Sequence, residues 1–176
     1  MKARNMALCA LFAALLTICA WIAVPVTDIA FTLQTLGIFL TLGLLGGKWG
    51  TAAIAVYLAM GAVGLPVFSG FRGGISVLLG ATGGYIWGFL AAGLIYWLLT
   101  AVLPAEKTVR LLAMAAGQLG CYVLGTLWYR YLYLQGGNEA SFWLVAAQCV
   151  LPYLLPDGIK LLLAWILTGR LSRFVY

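Results

Sequence analysis

The sequence predicts an all-α integral membrane protein of six transmembrane helices, with both termini cytoplasmic and a ligand pocket near the outer face. Three observations carry the prediction. First, 65% of the 176 residues are hydrophobic and 8% are charged, with a mean hydropathy of +1.08. A soluble domain carries about 25% charged residues, so this chain lacks the polar surface to coat a water-soluble globule. Second, the apolar residues fall in runs near the roughly 20 residues that a helix needs to cross hydrocarbon. Third, the basic residues sit mostly at the ends of those runs, and on one side.

Ten Lys and Arg against four Asp and Glu give a net charge of +6. No basic block is interleaved with aromatics, so nucleic acid is not the expected partner. Cys9, Cys19, Cys121 and Cys149 all lie in apolar segments without a C-x-x-C pair, and there is no histidine. A disulfide framework or a metal site is therefore not expected.

The spans follow in order, as one domain over residues 1–176. Span one covers about 4–24. Lys2 and Arg4 ahead of its apolar run resemble a signal peptide. The run from Met6 to Val24 is longer than a signal core, however, and five more apolar segments follow. Spans two and three, about 33–47 and 50–65, are short. Span four covers about 82–103 and span five about 109–133. Region 142–170 is too long for one span, and Pro152 and Pro156 divide it. The expectation is a short helix at 142–150, a turn, and a last span over about 157–171, with Asp157 at or near its N-cap.

Orientation follows from charge. The side of the N-terminus receives Lys2, Arg4, Lys48, Lys107, Arg110, Arg170 and Arg173; the other side receives Arg72, with Arg130 near the end of span five as a second candidate. That bias makes the first side cytoplasmic. Asp28 and Glu139 fall on the outer side, in keeping with it. Three loops then face outward, at about 25–32, 66–81 and 134–141, and they carry the unusual residues.

In span one, Ala3, Ala7, Ala10, Ala14 and Thr17 recur on one helix face. A stripe of small residues lets another helix approach closely in lipid. Its occupant is either a helix of this bundle or a partner membrane protein. Gly70, Gly73, Gly74, Gly80, Gly83 and Gly84 crowd into residues 70–84. The phosphate-binding pattern G-x-x-x-x-G-K-[ST] is absent. The reading is a re-entrant or lid loop whose backbone approaches a ligand, since irregular backbone at membrane depth needs protein or a cavity around it. Arg72 at its tip is a candidate for an anionic group, or a solvated residue.

Gln34 sits near the outer end of span two. Gln118, Tyr122 and Tyr129 share a face of span five, beside Trp128 and Arg130. An interfacial aromatic belt accounts for Trp128, Tyr129, Tyr131 and Tyr133; it does not account for Gln118. The sharpest signal is Asp157 with Lys160, spaced i, i+3 so that they can pair. A charge at the centre of a membrane helix costs about 2.5–3.5 kcal/mol on insertion scales, and such residues mark functional sites by default. They read either as a structural pair or as the polar floor of a ligand site. Without histidine, a serine beside a base, or paired carboxylates, nothing supports catalysis, and no nucleotide site is offered.

Four motifs now carry a resemblance over nearly the whole chain. They are Phe31-Thr32-Leu33-Gln34-Thr35-Leu36-Gly37; Gly64-Leu65-Pro66-Val67-Phe68; Gly80-Ala81-Thr82-Gly83-Gly84-Tyr85 with Gly88-Phe89; and Leu151-Pro152 through Pro156-Asp157 to Lys160. In this order they resemble the BioY family, the biotin-specific S components of energy-coupling factor (ECF) transporters. One departure is Ala81, where the family usually has proline.

The resemblance implies a six-helix protein of a prokaryotic cell membrane that binds biotin beneath its outer loops. It also implies a transmembrane T component and two ABC-type ATPase subunits that hydrolyse ATP. The alanine face of helix one, Ala3 to Ala14, would be the docking surface. Asp157 would accept a ureido N–H, and Lys160 would hold that acid charged or read the anionic end. Gln34, Thr82 or Tyr85 would complete the polar contacts, Gly74 and Arg72 would approach from the glycine-rich loop, and Tyr122 or Trp128 would pack on the thiophane ring. The alternatives are an S component for another vitamin, and a membrane packing protein with no transport role.

Overall fold

The structure is a computed structural model that describes residues 2–24, 31–104, 106–137 and 141–175. Asp28 and Glu139, assigned above to the outer side, lie outside the described residues. Helix α1 (Lys2–Trp21) leads into a two-stranded antiparallel ribbon, β1 (Ala23–Val24) with β2 (Phe31–Thr32). Helix α2 (Gln34–Ala62), the short α3 (Ile75–Leu79), α4 (Gly83–Val102), α5 (Lys107–Gln135), α6 (Phe142–Cys149) and α7 (Leu151–Val175) follow.

Helix α2 is two arms. Gly46, at φ 74° and ψ 171°, leaves helical geometry, in a region of the backbone map that essentially only glycine visits. The chain reverses there. A Cβ on Gly50 would lie 2.9 Å from the Cα of Leu42, whereas residues eight apart in a straight helix are separated by about 12 Å. Residues 34–45 and 47–62 therefore pack side by side, about 18 and 24 Å long by helical rise. These arms correspond to the two short segments read from the sequence.

Small residues set the closest packing. A Cβ on Gly84 would strike Cβ of Trp128, one on Gly88 would reach Sγ of Cys121 at 2.7 Å, and one on Gly125 would strike the ring of Tyr85. These glycines bring α4 and α5 into near backbone contact, the usual device where lipid offers no hydrophobic drive between helices. The interior is filled by Leu16, Phe39, Leu42, Ile54, Tyr57 and Met114, all essentially inaccessible.

The exterior is as apolar as the interior. Leu11, Ile18, Leu94, Leu98, Leu119, Leu127 and Ile166 are all exposed. Among the described residues, five helices are long and apolar enough to cross a bilayer: Ala3–Trp21, Gln34–Ala62, Gly83–Val102, Lys107–Gln135 and Leu151–Arg173. Exposed aliphatic residues on all these helices fit hydrocarbon as the surrounding medium, and the chain is a multi-pass membrane protein.

The end of the chain differs from its sequence reading. Helix α7 starts at Leu151, so Asp157 lies nearly two turns inside it and is no N-cap. Neither proline breaks the helix. Pro152 occupies the first turn, where its missing N–H has no intrahelical partner to lose. Pro156, inside the helix, forfeits only the bond to the carbonyl of Pro152. The short helix before it stands as α6, joined to α7 through Val150.

Candidate functional site

The buried pair forms first. Asp157 and Lys160 are one turn apart on α7, and Lys160 Nζ lies 2.8 Å from Asp157 Oδ1. Both residues are buried, 6% and 5% exposed. Lys160 also donates to the Thr32 carbonyl on β2 at 2.7 Å, and its Nζ sits 3.7 Å from the centroid of the Phe31 ring. Three donors thus meet a carboxylate, a carbonyl and a ring face, so the lysine's charge is fully engaged within the protein.

Helix α5 supplies the other side of Asp157. Tyr122 donates its hydroxyl to Oδ2 at 2.8 Å, and Gln118 Nε2 donates to the same oxygen at 3.3 Å. A carboxylate has about four acceptor positions. Among the described residues three are filled, one on Oδ1 and two on Oδ2, which leaves one on Oδ1 for a further N–H donor.

A second chain of hydrogen bonds starts at β2. Thr32 Oγ1 donates to Gln34 Oε1 at 3.0 Å, Gln34 Nε2 donates to Tyr57 Oη at 2.8 Å, and Tyr57 donates to the Val67 carbonyl at 3.0 Å. The loop after α2 is held by that last bond, and by the edge-on packing of Phe68 on Tyr57 with centroids 5.6 Å apart.

These groups surround one cavity. It is lined by Asp157 and Lys160 from α7, Gln118, Cys121 and Tyr122 from α5, and Tyr85, Ile86 and Phe89 from α4. Thr32, Gln34 and Thr35 close one side, and Phe68, Ser69 and Arg72 from the loop, with Val77 and Thr82, cover it. Cys149 and Tyr153 complete the wall. The space between these walls, open mouth and adjoining solvent included, is about 770 Å³. Arg72 is exposed at the rim, with Nε donating to the Ser69 carbonyl at 3.1 Å. The Tyr85 hydroxyl is buried near Thr126 and Cys149 without a hydrogen bond of good geometry.

Seven of the nine residues expected to contact the ligand therefore meet at the cavity, namely Gln34, Arg72, Thr82, Tyr85, Tyr122, Asp157 and Lys160, and Gln118, also singled out in the sequence, joins them. Two do not line it. Trp128 turns its indole N–H to the Gly80 carbonyl at 3.0 Å, bracing the turn before α4. Gly74, at φ 96°, donates its N–H to the Gly61 carbonyl at 2.7 Å and opens α3. Both shape the cover rather than the wall. Sequence reasoning missed the Thr32 carbonyl and Tyr57. A backbone acceptor leaves no trace in side-chain identity, and a tyrosine amid apolar residues reads as core. Ala3, Ala7, Ala10 and Ala14 on α1 are exposed, whereas Thr17, on the same stripe, is buried with its hydroxyl on the Ala13 carbonyl. The stripe is not used for packing inside this chain along its first three turns.

Fold and site together define a multi-pass membrane protein with an interior, mostly apolar small-molecule cavity floored by a buried ion pair. The family model of the BioY family matches residues 1–176, and the chain belongs to that family. The biotin transporter BioY of Thermotoga maritima is 36% identical over 171 residues, covering 97% of this chain and 96% of that protein. The probable biotin transporter BioY of Pyrococcus horikoshii is 38% identical over 173 residues, covering 98% of each. Among solved structures, the S-component for biotin from an ECF-type ABC transporter superposes with a TM-score of 0.82 at 25% identity, covering 98% of this chain and 92% of that one.

Proposed function

We propose that this chain is the biotin-binding S component of an ECF-type importer, capturing the vitamin for uptake driven by partner subunits. The observation that carries the reading is the Asp157 carboxylate, held by Lys160, Tyr122 and Gln118 with one acceptor position unfilled inside a mostly apolar cavity. A ureido head offers N–H donors for such an acceptor, and its bicyclic body suits apolar walls. The full engagement of Lys160 favours a role as the fixed partner that holds Asp157 in place, and leaves the ligand's carboxylate to Arg72 at the rim.

The finer topology extends the same reading. The two arms of α2 count as separate crossings, which makes six with α1, α4, α5 and α7. Lys48 lies in the reversal, Lys107 opens α5, and Arg170 and Arg173 end α7. The cavity residues sit toward the opposite end of α7 and at the middle of α5, with those of α4 and of the first arm of α2 in the opening turns of these elements. By the positive-inside rule the basic ends and both termini are cytoplasmic, and the cavity lies near the outer face of a prokaryotic cell membrane. The exposed Ala3–Ala14 face of α1 is the docking surface for a T component that works with two ABC-type ATPases.

Calorimetry of biotin binding to the detergent-purified chain, beside an Asp157→Asn variant, tests the assignment. Saturable binding by the parent and a loss in the variant are expected. A well-folded parent that binds no biotin overturns the vitamin assigned and turns the search to others. Binding that survives in the variant moves the site away from Asp157.

A further inference from the structure

The hydrogen-bond chain from Thr32 to Val67 has a direction, and that direction reaches the ligand cavity. The carbonyl of Val67 can only accept, so the proton of Tyr57 is spent on it. The Tyr57 oxygen can then only accept from Gln34, which fixes Nε2, not Oε1, on that side. Oε1 takes the Thr32 hydroxyl proton, and the Thr32 oxygen in turn accepts the backbone N–H of Gln34 at 3.2 Å. Flipping the amide would set two oxygens against each other at Tyr57 and strand the Thr32 hydroxyl. Amide orientation, otherwise ambiguous, is here decided by a backbone carbonyl two bonds away.

Gln34 is 6% exposed and lines the cavity. One N–H of its amide is used on Tyr57; the second has no acceptor among the described residues. A buried donor left unpaired is costly, whereas a spare lone pair on an amide oxygen is tolerated more easily. The orphan donor is therefore the feature that a ligand must answer. Tyr57 is 0% exposed and lines no part of the cavity, so it acts only through Gln34.

We infer that Tyr57 is a positioning residue that locks Gln34 as a hydrogen-bond donor toward the cavity, so that the site selects a ligand with a carbonyl-type acceptor at that point. This rests on the biotin reading, under which the acceptor is the ureido oxygen. Asp157 then accepts from the ureido N–H while Gln34 donates to the ureido C=O. The floor of the cavity reads both polarities of the same head group.

The test uses 2-iminobiotin, in which an imine nitrogen that bears protons replaces the ureido oxygen. Affinities for biotin and 2-iminobiotin are measured on the purified full chain, on Tyr57→Phe, on Gln34→Leu and on the double variant. The parent is expected to prefer biotin. Tyr57→Phe frees the amide to flip, so biotin binding weakens roughly tenfold, the scale of one hydrogen bond, and the preference over 2-iminobiotin narrows. In the Gln34→Leu background, adding Tyr57→Phe leaves the ratio unchanged. A preference that Tyr57→Phe does not alter, or alters equally without Gln34, overturns the inference. Should Tyr57→Phe fail to fold, Thr32→Val removes the other anchor of the amide, and an unchanged ratio there overturns it as well. A parent that binds no biotin removes the footing of both readings; a parent that binds biotin with an unaltered Tyr57→Phe ratio removes only this one.

Discussion

Tyr122 donates its hydroxyl to Oδ2 of Asp157 across 2.8 Å, joining α5 to α7 over 35 positions of chain. The bond lies in the cavity wall, so it supports the fold and shapes the site together. Gln118, one turn earlier on α5, donates to the same oxygen from a longer 3.3 Å. Helix α5 thus presents two donors to one carboxylate, and their loss is expected to be unequal.

Tyr122→Phe removes the shorter bond and nothing of the ring. Hydrogen bonds between membrane helices contribute about 0.6 kcal/mol on average and up to about 1.7. A small drop in the melting temperature of the detergent-purified chain is expected. Biotin affinity should fall further than stability, because Asp157 loses the group that aims it. An affinity unchanged beside a lowered melting point would make Tyr122 a packing residue alone.

Asp157 and Lys160 should be coupled in stability. Removing one member of a buried pair leaves an uncompensated charge and costs about 3–5 kcal/mol, whereas replacing both by apolar residues is often neutral. Asp157→Leu and Lys160→Met are each expected to melt well below the parent, and the double variant above either single one. All three should lose biotin. A double variant no more stable than the singles would mean that the lysine is sustained by the Thr32 carbonyl and not by its neighbour.

Two glycine substitutions separate close packing from helix propensity. Gly84 has Cβ of Trp128 where its own Cβ would lie, whereas Gly169, inside α7, has open space within 4 Å. Gly84→Ala forces α4 from α5, and overpacking of this kind costs about 1–3 kcal/mol. It should also disturb the cavity, because Tyr85 follows directly. Gly169→Ala should be neutral or mildly stabilising, since alanine is the better helix former. Thermal melting of both variants decides it; equal effects would deny the close approach.

Much of this was legible because a membrane leaves few reasons to keep a charge. Asp157 and Lys160 stood out on insertion cost alone, and hydropathy runs gave the long helices. The start of α7 was not legible: Pro152 and Pro156 look like breaks in sequence, yet the first sits where a helix has no bond to lose. The reversal at Gly46 was half legible, as two short apolar runs that one glycine turns into an antiparallel pair. Trp128 reads as a ligand contact by its aromatic type, but it does not line the cavity and its N–H goes to the Gly80 carbonyl. Partnerships of that kind depend on tertiary distance, which spacing along one helix does not encode.

The cysteines offer an internal map of the cavity. Cys121 and Cys149 line it, whereas Cys9 and Cys19 pack elsewhere, Cys9 against the Trp49 carbonyl and Cys19 against Gly37. All four are buried thiols outside any disulfide. Chains that keep one cysteine each can be labelled with a small neutral maleimide, with and without biotin. A ligand in the cavity blocks the path to Cys121 and Cys149, so at ten times its dissociation constant their labelling should slow roughly tenfold, the factor set by occupancy. Cys9 and Cys19 should label at the same slow rate in both conditions. Protection of all four alike would mean that biotin tightens the whole bundle; protection of none would place the ligand outside this cavity.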